Sequence, residues 1–289
     1  MSRSWVVLPV AAALAAGCAP QADRDVLYQL STVPALMEGL YDGQVTLAEL
    51  LRHGDLGHGT FDALDGEMVI VDGRVYQVGG DGRVRRPALD TKTPLAAVTF
   101  FEADYSTFVN AALDRVQLEY LMDRMAQDAA GLEKVSGTLS RRVPDTFSDP
   151  AARRGTGAPL TRNMPLAVRI SGTFKYVKTR SVPRQTRPYP RLVDVTARQA
   201  VFEFRDVRGT IVGFRFPDYI KGVNMPGWHL HFITGDETGG GHVLDVQVGK
   251  VHVVIDETPV LQIVLPQTNE YRLVNLARDT EVDARRIAR

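Results

Sequence analysis

Three histidines in the C-terminal part of the chain have the spacing of metal ligands. His229 and His231 are two residues apart in the strand-like segment 227–233, so their side chains project from the same face of a strand. A glycine-rich turn is expected over residues 236–241, and His242 opens the next strand-like segment. If the two strands form a hairpin, the three imidazoles converge. The spacing therefore predicts that His229, His231 and His242 bind one divalent metal ion.

This ligand set predicts catalytic zinc. Three protein nitrogens leave a coordination position for water or substrate, which is typical of catalytic Zn²⁺ sites, although iron, manganese and copper also accept three imidazoles. His53, His58 and His252 lie outside the pattern, and His58 stands between glycines in an expected loop. We interpret these three as structural or solvent-exposed residues. The alternative is that His229, His231 and His242 are ordinary polar side chains on a strand face.

The elements that must position the histidines are mainly strands. From residue 166 onward short segments alternate between apolar and polar residues, which predicts a β-barrel-like domain that carries the metal site. The N-terminal part combines hairpin signals at Asp65-Gly66 and Asp72-Gly73 with two helical patterns, at residues 45–51 and 106–127. The fold class is therefore α+β and mostly β, with an N-terminal mixed sheet domain that includes helices.

The chain is expected to divide into an exported leader and two domains. Residues 1–17 resemble a secretory signal, and Cys18, the single cysteine of the chain, follows Ala-Ala-Gly as in the lipobox of bacterial lipoproteins. We expect a protein of the periplasm or outer membrane that is anchored by a lipid on Cys18; cleavage that leaves Cys18 unmodified is the alternative. Residues 18–135 and 164–289 are the predicted domains, and 136–163 is a predicted linker or long loop rich in Ser, Arg, Pro and Gly.

The composition excludes two classes of protein. The 289 residues include 34 Lys and Arg against 34 Asp and Glu, so the formal net charge is zero. Nucleic-acid-binding proteins usually carry a basic excess, and we expect no such partner. Hydrophobic residues make up 44% of the chain, which is too many for an intrinsically disordered protein.

Several blocks of sequence resemble the alpha-acetolactate decarboxylases. The most specific is Gly-Trp-His-Leu-His-Phe-Ile at 227–233 together with Gly-Gly-His-Val at 240–243. The resemblance extends over about residues 27 to 277. The other matching blocks lie at residues 54–61, 64–67, 72–73, 76–77, 178–183 and 209–214.

The resemblance implies a set of site residues and a reaction. It implies that His229, His231 and His242 hold zinc and that Glu67, Arg180 and Thr60 line the site. The implied enzyme is a homodimer that converts 2-acetolactate, a small-molecule substrate, to acetoin and CO₂, with zinc acting as a Lewis acid on the ketone and hydroxyl oxygens.

Within that reaction Arg180 would hold the carboxylate or assist protonation, and Glu67 would accept a hydrogen bond from the substrate hydroxyl or relay a proton. Without the resemblance, the sequence favours a surface residue for Arg180 and a solvated hairpin turn for Glu67.

This sequence departs from the family pattern in places. The family often contributes a glutamate from its extreme C-terminus, where this chain has Ala288, and Glu281 is the nearest substitute. His58 stands where the family usually has an apolar residue.

Two other functions also fit a three-histidine metal site in an exported protein: a zinc hydrolase, and a non-catalytic lipoprotein that captures metal.

Overall fold

The strands dominate the structure, a computed structural model that describes residues 24–130, 163–277 and 283. The longest strands, of 16 to 18 residues, all lie in the second half of the chain. In chain order they are β1 (Val26–Leu30), β2 (Val45–Thr46), β3 (Leu56–Thr60), β4 (Glu67–Val71), β5 (Arg74–Val78), β6 (Val84–Arg85), β7 (Lys92–Thr93), β8 (Ala96–Thr99), β9 (Tyr105–Asp114), β10 (Leu166–Ser181), β11 (Ala200–Phe216), β12 (Gly227–Thr234), β13 (Gly240–Glu257) and β14 (Val260–Val264).

The helices of the described residues are short, with one exception. The sixteen-residue α3 packs its buried Leu118 and Met122 against the second sheet. None of the helices in the described part of the chain combines the length and apolarity needed to span a membrane. The helices are α1 (Val33–Met37), α2 (Leu47–Leu50), α3 (Arg115–Ala130), α4 (Leu192–Thr196) and α5 (Asn269–Leu273).

The first sheet has seven strands in the order β14-β1-β8-β3-β4-β5-β6. Its pairs are antiparallel except for β14, which runs parallel to β1. All five residues of β3 are buried, because this strand lies in the middle of the sheet and also contacts β11. Strands covered on both faces bury every side chain rather than alternate ones. This sheet therefore supplies a buried central strand next to the second sheet.

The second sheet has the order β10-β11-β12-β13-β9, and β10 also pairs with β13. The pairings of β10, β11, β12 and β13 consequently form a closed ring. Register shifts near Thr173 and Lys178 accompany the long β10–β13 ladder, and irregularities of this kind let strands bend. Phe174, Phe232 and Val246 lie in the core of this sheet. The mostly β character predicted from the sequence is confirmed.

The two sheets exchange strands across the predicted domain boundary. β9, from the predicted N-terminal domain, pairs with β13, and β14, from the predicted C-terminal domain, pairs with β1. The chain passes between the sheets at residues 100–104 and 258–259, whereas β9 and β10, the strands before and after residues 136–163, both belong to the second sheet. Most of that predicted linker, the signal at 1–17, Cys18 and Glu281 lie outside the described residues.

The helix predicted over residues 106–127 is wrong in its first part. Residues up to Asp114 form β9 instead, because their backbone pairs with β13. The helix begins at Arg115, where the Gln117 amide donates to Asp114 Oδ1 (2.9 Å) and the Asp114 amide donates to Gln117 Oε1 (3.1 Å). This reciprocal cap marks a helix start. The apolar residues with helical spacing thus begin in a strand, β9, and continue into the helix α3.

Two local signals are confirmed by the backbone. The amide of Glu49 donates to Thr46 Oγ1 (3.2 Å), so Thr46 caps α2 as its spacing predicts. Asp72 and Gly73 form the turn between β4 and β5, both with positive φ. Such turns match the twist of the strands they join.

Candidate metal centre

The three predicted ligands meet at one point. His229 and His231 lie on β12, and His242 lies on β13 directly opposite His231. His229 Nε2 is 3.2 Å from His231 Nε2 and 3.0 Å from His242 Nδ1. His231 Nε2 and His242 Nδ1 are 3.4 Å apart. The three nitrogens, one from each imidazole, thus form a compact triangle.

The triangle fits a metal ion. Nitrogens bound tetrahedrally to zinc at about 2.0–2.1 Å lie about 3.3–3.4 Å from one another. His231 Nδ1 is 2.8 Å from the carbonyl oxygen of Met68. Because a carbonyl can only accept, Nδ1 carries the proton and Nε2 keeps its lone pair for a metal. Burial lowers the pKa of His229, His231 and His242 well below the usual value, which favours the neutral imidazole that a metal ion requires.

A glycine sets the position of His242. Gly241 has φ +126°, and a Cβ atom there would lie 2.4 Å from the carbonyl oxygen of Arg180. At His242 strand β13 lies between β12 and β10, where His242 is paired with both His231 and Arg180. Residues directly opposite one another in antiparallel strands point to the same face. His231, His242 and Arg180 therefore form a row across three strands.

Arg180 is a buried cation at the edge of this row. It is 6% exposed, and its Nη1 donates to Gln199 Oε1 (2.9 Å). Its Nε has no hydrogen-bond partner among the described residues. Burial lowers the pKa of Arg180, while Glu67 opposes the change; a guanidinium nevertheless stays protonated at neutral pH. The alternative of a surface residue is excluded by its burial.

Glu67 reaches the same place from the first sheet. Its Oε2 is 3.7 Å from His231 Nε2, and its side chain is 13% exposed. Burial raises the pKa of Glu67 to about 7, with Arg180 acting in the opposite direction. Thr60 is paired with Glu67 across β3 and β4, and its Oγ1 donates to the carbonyl of Gly66 (2.7 Å). Thr60 thereby holds the turn from which Glu67 projects.

These residues line one cavity of about 300 Å³. The volume is at the small end of the range for ligand pockets in proteins. One end holds the histidines with Arg180, Glu67 and Thr60. The other end is apolar, and its wall includes Val33, Leu36, Met37, Val182, Leu192 and Met225.

A sequence profile of the alpha-acetolactate decarboxylases matches residues 27–141 and 155–278, which is most of the chain. The chain belongs to the alpha-acetolactate decarboxylase family. It is 40% identical over 263 residues to the alpha-acetolactate decarboxylase of Methanosarcina mazei, covering 91% of this chain and 80% of that protein. Identity to the enzyme of Klebsiella aerogenes is 38% over 251 residues, covering 87% of this chain and 84% of that protein.

The fold agrees with a solved decarboxylase. The crystal structure of alpha-acetolactate decarboxylase from Bacillus subtilis strain 168 superposes with a TM-score of 0.77 at 32% identity. The match covers 91% of this chain and 99% of that chain. Membership of the decarboxylase family identifies the protein as an enzyme of that class.

Residues outside the predicted set also reach the decarboxylase cavity. Arg115 and Glu119 line it from α3, with Arg115 Nε donating to Glu119 Oε1 (2.8 Å). Arg115 Nη1 also donates to the carbonyl of Leu244 (2.7 Å), two residues beyond His242. The sequence pattern gave no sign that Arg115 and Glu119 reach the cavity. It predicts one helix over residues 106–127, whereas α3 begins only at Arg115.

The loop expected around His58 is wrong. His58 lies in strand β3, rather than in a loop, and is 4% exposed; its ring stacks on that of His231 and is tilted against that of His229. The glycines on either side of it suggested a loop, but they allow β3 to pack closely against β8. His53 and His252 stack instead on Tyr28 and Phe108, neither of which lines the cavity.

Proposed function

We propose that this protein converts 2-acetolactate to acetoin and CO₂ with a zinc ion held by His229, His231 and His242. The observation that carries the proposal is the triangle of imidazole nitrogens, 3.0–3.4 Å apart, in one cavity with Arg180 and Glu67. A divalent ion at this point would act as a Lewis acid on the ketone and hydroxyl oxygens of the substrate, where negative charge develops as CO₂ departs.

Arg180 is suited to the carboxylate of the substrate. Its planar guanidinium can donate two parallel hydrogen bonds to a carboxylate, and its Nε is buried without a partner in the described part of the chain. In a buried site such a charged hydrogen bond is stronger than in water. Arg180 would hold the carboxylate in a fixed orientation until the carbon–carbon bond breaks.

Glu67 is suited to handling protons. When CO₂ leaves, the electron pair of the broken bond moves toward the ketone, and the carbon that lost the carboxylate must then gain a proton. Glu67 Oε2 lies 3.7 Å from His231 Nε2, within reach of a small molecule bound beside the histidines. It can accept a hydrogen bond from the substrate hydroxyl or relay a proton to that carbon. Thr60 supports this role by fixing the turn before Glu67.

The apolar end of the cavity complements the rest of the substrate. 2-Acetolactate carries two methyl groups, which side chains such as Leu36, Val182 and Leu192 can cover. Covering them excludes water and strengthens the charged contacts at the other end. A cavity of about 300 Å³ suits a molecule of this size.

For the whole protein we propose an exported homodimer anchored through a lipid on Cys18, located in the periplasm or outer membrane. The leader-like residues 1–17 and the position of the single cysteine support the export proposal. We also propose that the closed ring of pairings among β10, β11, β12 and β13 is a barrel-like metal domain, since β12 and β13 carry the three histidines.

The experiment that tests this function compares substrates. Purified protein is given racemic 2-acetolactate, a 2-hydroxy acid without the ketone, and a simple ester. We expect acetoin and CO₂ from acetolactate alone, because only this substrate can delocalise the electrons of the broken bond. Hydrolysis of the ester without acetoin formation would favour a zinc hydrolase and contradict the proposal.

A further inference from the structure

A fourth imidazole lies against the ligand triangle. The ring centroid of His58 is 4.2 Å from that of His229 and 4.7 Å from that of His231. These separations are as short as those within the triangle, where centroids lie 4.7 to 5.3 Å apart. His58 comes from β3 of the first sheet, whereas the triangle belongs to the second. The site is therefore built across both sheets.

The imidazole of His58 carries a nitrogen that its protein surroundings do not satisfy. Its Nε2 is fully buried and has no hydrogen-bond partner among residues 24–130, 163–277 and 283. A buried polar atom in that state costs about 1–3 kcal/mol. Its other close ring neighbour, Phe214 at 5.4 Å, offers no polar group. An unpaired nitrogen beside three candidate metal ligands indicates that it binds the same ligand as they do.

The nitrogens of His58 are within reach of the same ion. One ligand nitrogen from each of His58, His229 and His231 lies within 4.8 Å of the others. His242 belongs with the tighter set, since its Nδ1 is 3.0 Å and 3.4 Å from the Nε2 atoms of His229 and His231. Ligation by His58 therefore requires its side chain to rotate, so that its nitrogen comes as close as the 3.0–3.4 Å found within the triangle.

We propose that His58 supplies a fourth imidazole to the metal ion of His229, His231 and His242. The proposal deepens the proposed function and rests on it. Zinc accepts four ligands and can expand to five, so four imidazoles would leave one position for a substrate oxygen, that of the ketone, while Glu67 accepts a hydrogen bond from the hydroxyl. A fourth ligand would make the ion harder to remove.

Two variants separate ligation from packing. His58→Phe keeps an aromatic ring that can stack on its neighbours but removes both nitrogens, and His58→Leu removes the ring as well. The matched control is His252→Phe, because His252 stacks on Phe108 outside the cavity. Zinc affinity is measured by competition with a chelator. Loss of a residue that merely orients a ligand typically costs 10–100-fold in affinity, so we expect both His58 variants to bind zinc at least about 10-fold more weakly and the control to be unchanged.

Two further measurements are independent of that competition. X-ray absorption at the zinc edge should count four imidazoles per zinc in the wild type and three in His58→Phe. Thermal unfolding in excess chelator should show the Leu variant to be at least as stable as the wild type, because the unsatisfied buried nitrogen is gone. This result would establish that weaker zinc binding does not come from failure to fold.

The outcomes distinguish this proposal from the function on which it rests. Three imidazoles in the wild type and undiminished affinity in His58→Phe, with acetoin still formed, would overturn the role of His58 alone. A wild-type protein that binds no zinc and forms no acetoin would overturn both the role of His58 and the proposed function.

Discussion

At the scale of single residues, the chemistry depends on groups held in unusual states by burial. Three neutral imidazoles face one point, with the buried Arg180 and the largely buried Glu67 close to them. A buried arginine keeps its charge, whereas a buried glutamate gains affinity for protons, and the pKa of Glu67 rises to about 7. The cavity therefore contains one permanent cation, Arg180, and one group that can exchange a proton, Glu67.

Arg180 should act on the substrate without holding the metal. A protonated guanidinium has no lone pair to offer, so Arg180→Ala should retain zinc. The rate of acetoin formation should fall by on the order of 10² or more. Arg180→Lys should restore little, because an ammonium group cannot reproduce the planar fork. Zinc content and acetoin production are measured side by side for the three proteins.

The control for this series is Lys175→Ala. Lys175 lies on the same strand, β10, but is exposed and pairs with Asp206. It should leave both zinc content and rate unchanged. A nearly normal rate in Arg180→Ala would show that Arg180 lies outside the reaction, while the assignment of the histidines would stand.

Residue types and spacing in the sequence predicted that the three histidines meet, but not which other residues surround them. The i and i+2 spacing of His229 and His231 gives a shared face wherever a strand forms, and the structure places His242 opposite His231 as the hairpin argument requires. Contact between Glu67 and this group depends on how two sheets pack. No local pattern contains that information, and the same reason explains why the sequence did not place His58 beside His229 and His231.

At the scale of elements, the close approach of three strands holds the site. Gly241 allows β13 to lie against β10 and β12 at once, and its φ of +126° is one that other residues rarely adopt. Helical and strand patterns in the sequence predicted most elements around it. They failed at residues 106–114, where apolar residues with helical spacing pair with β13. Pairing with a distant strand overrides a local pattern of this kind.

Gly241→Ala should damage the metal site. The added Cβ would lie 2.4 Å from the Arg180 carbonyl oxygen, so β13 must move and carry His242 with it. We expect a loss of zinc and a fall of at least ~1 kcal/mol in the free energy of unfolding. The control, Gly73→Ala, also has a positive φ, +71°, but its Cβ would meet nothing within 4 Å. Equal zinc content in both variants would contradict this account.

At the scale of the whole molecule, a buried acid away from the cavity should make stability depend on pH. Asp256 is fully buried, and burial raises its pKa to about 8, with Asp104, Asp25 and Glu102 adding to the effect. Its ordinary pKa is 3.8. The unfolded chain therefore loses this proton at lower pH than the folded protein, and the stability contribution declines as pH rises from about 4 to about 8.

Asp256→Asn should remove that decline. The amide oxygen can still accept from the backbone of Glu102, which contacts Asp256 Oδ2 at 3.2 Å. We expect the melting temperature of the variant, relative to wild type, to increase between pH 5 and pH 8. Asp90→Asn, at an exposed position, is the control. A difference that stays constant or shrinks over this range would be contrary to the burial argument.

The export proposal concerns the whole molecule and is tested at Cys18. Expressed from its full sequence in a Gram-negative host, the protein should fractionate with membranes, because a lipid on Cys18 would anchor it. Cys18→Ser should release the protein or stop its processing. A soluble periplasmic protein with an unmodified Cys18 would rule out the lipid.

The measurement that tests the central claim most directly follows acetoin formation while the metal is removed and returned. The purified protein should contain about one zinc per chain. A chelator should abolish acetoin formation from racemic 2-acetolactate, and Zn²⁺ should restore it to the wild type but not to His231→Ala. Full activity in protein shown to be free of metal would contradict the account.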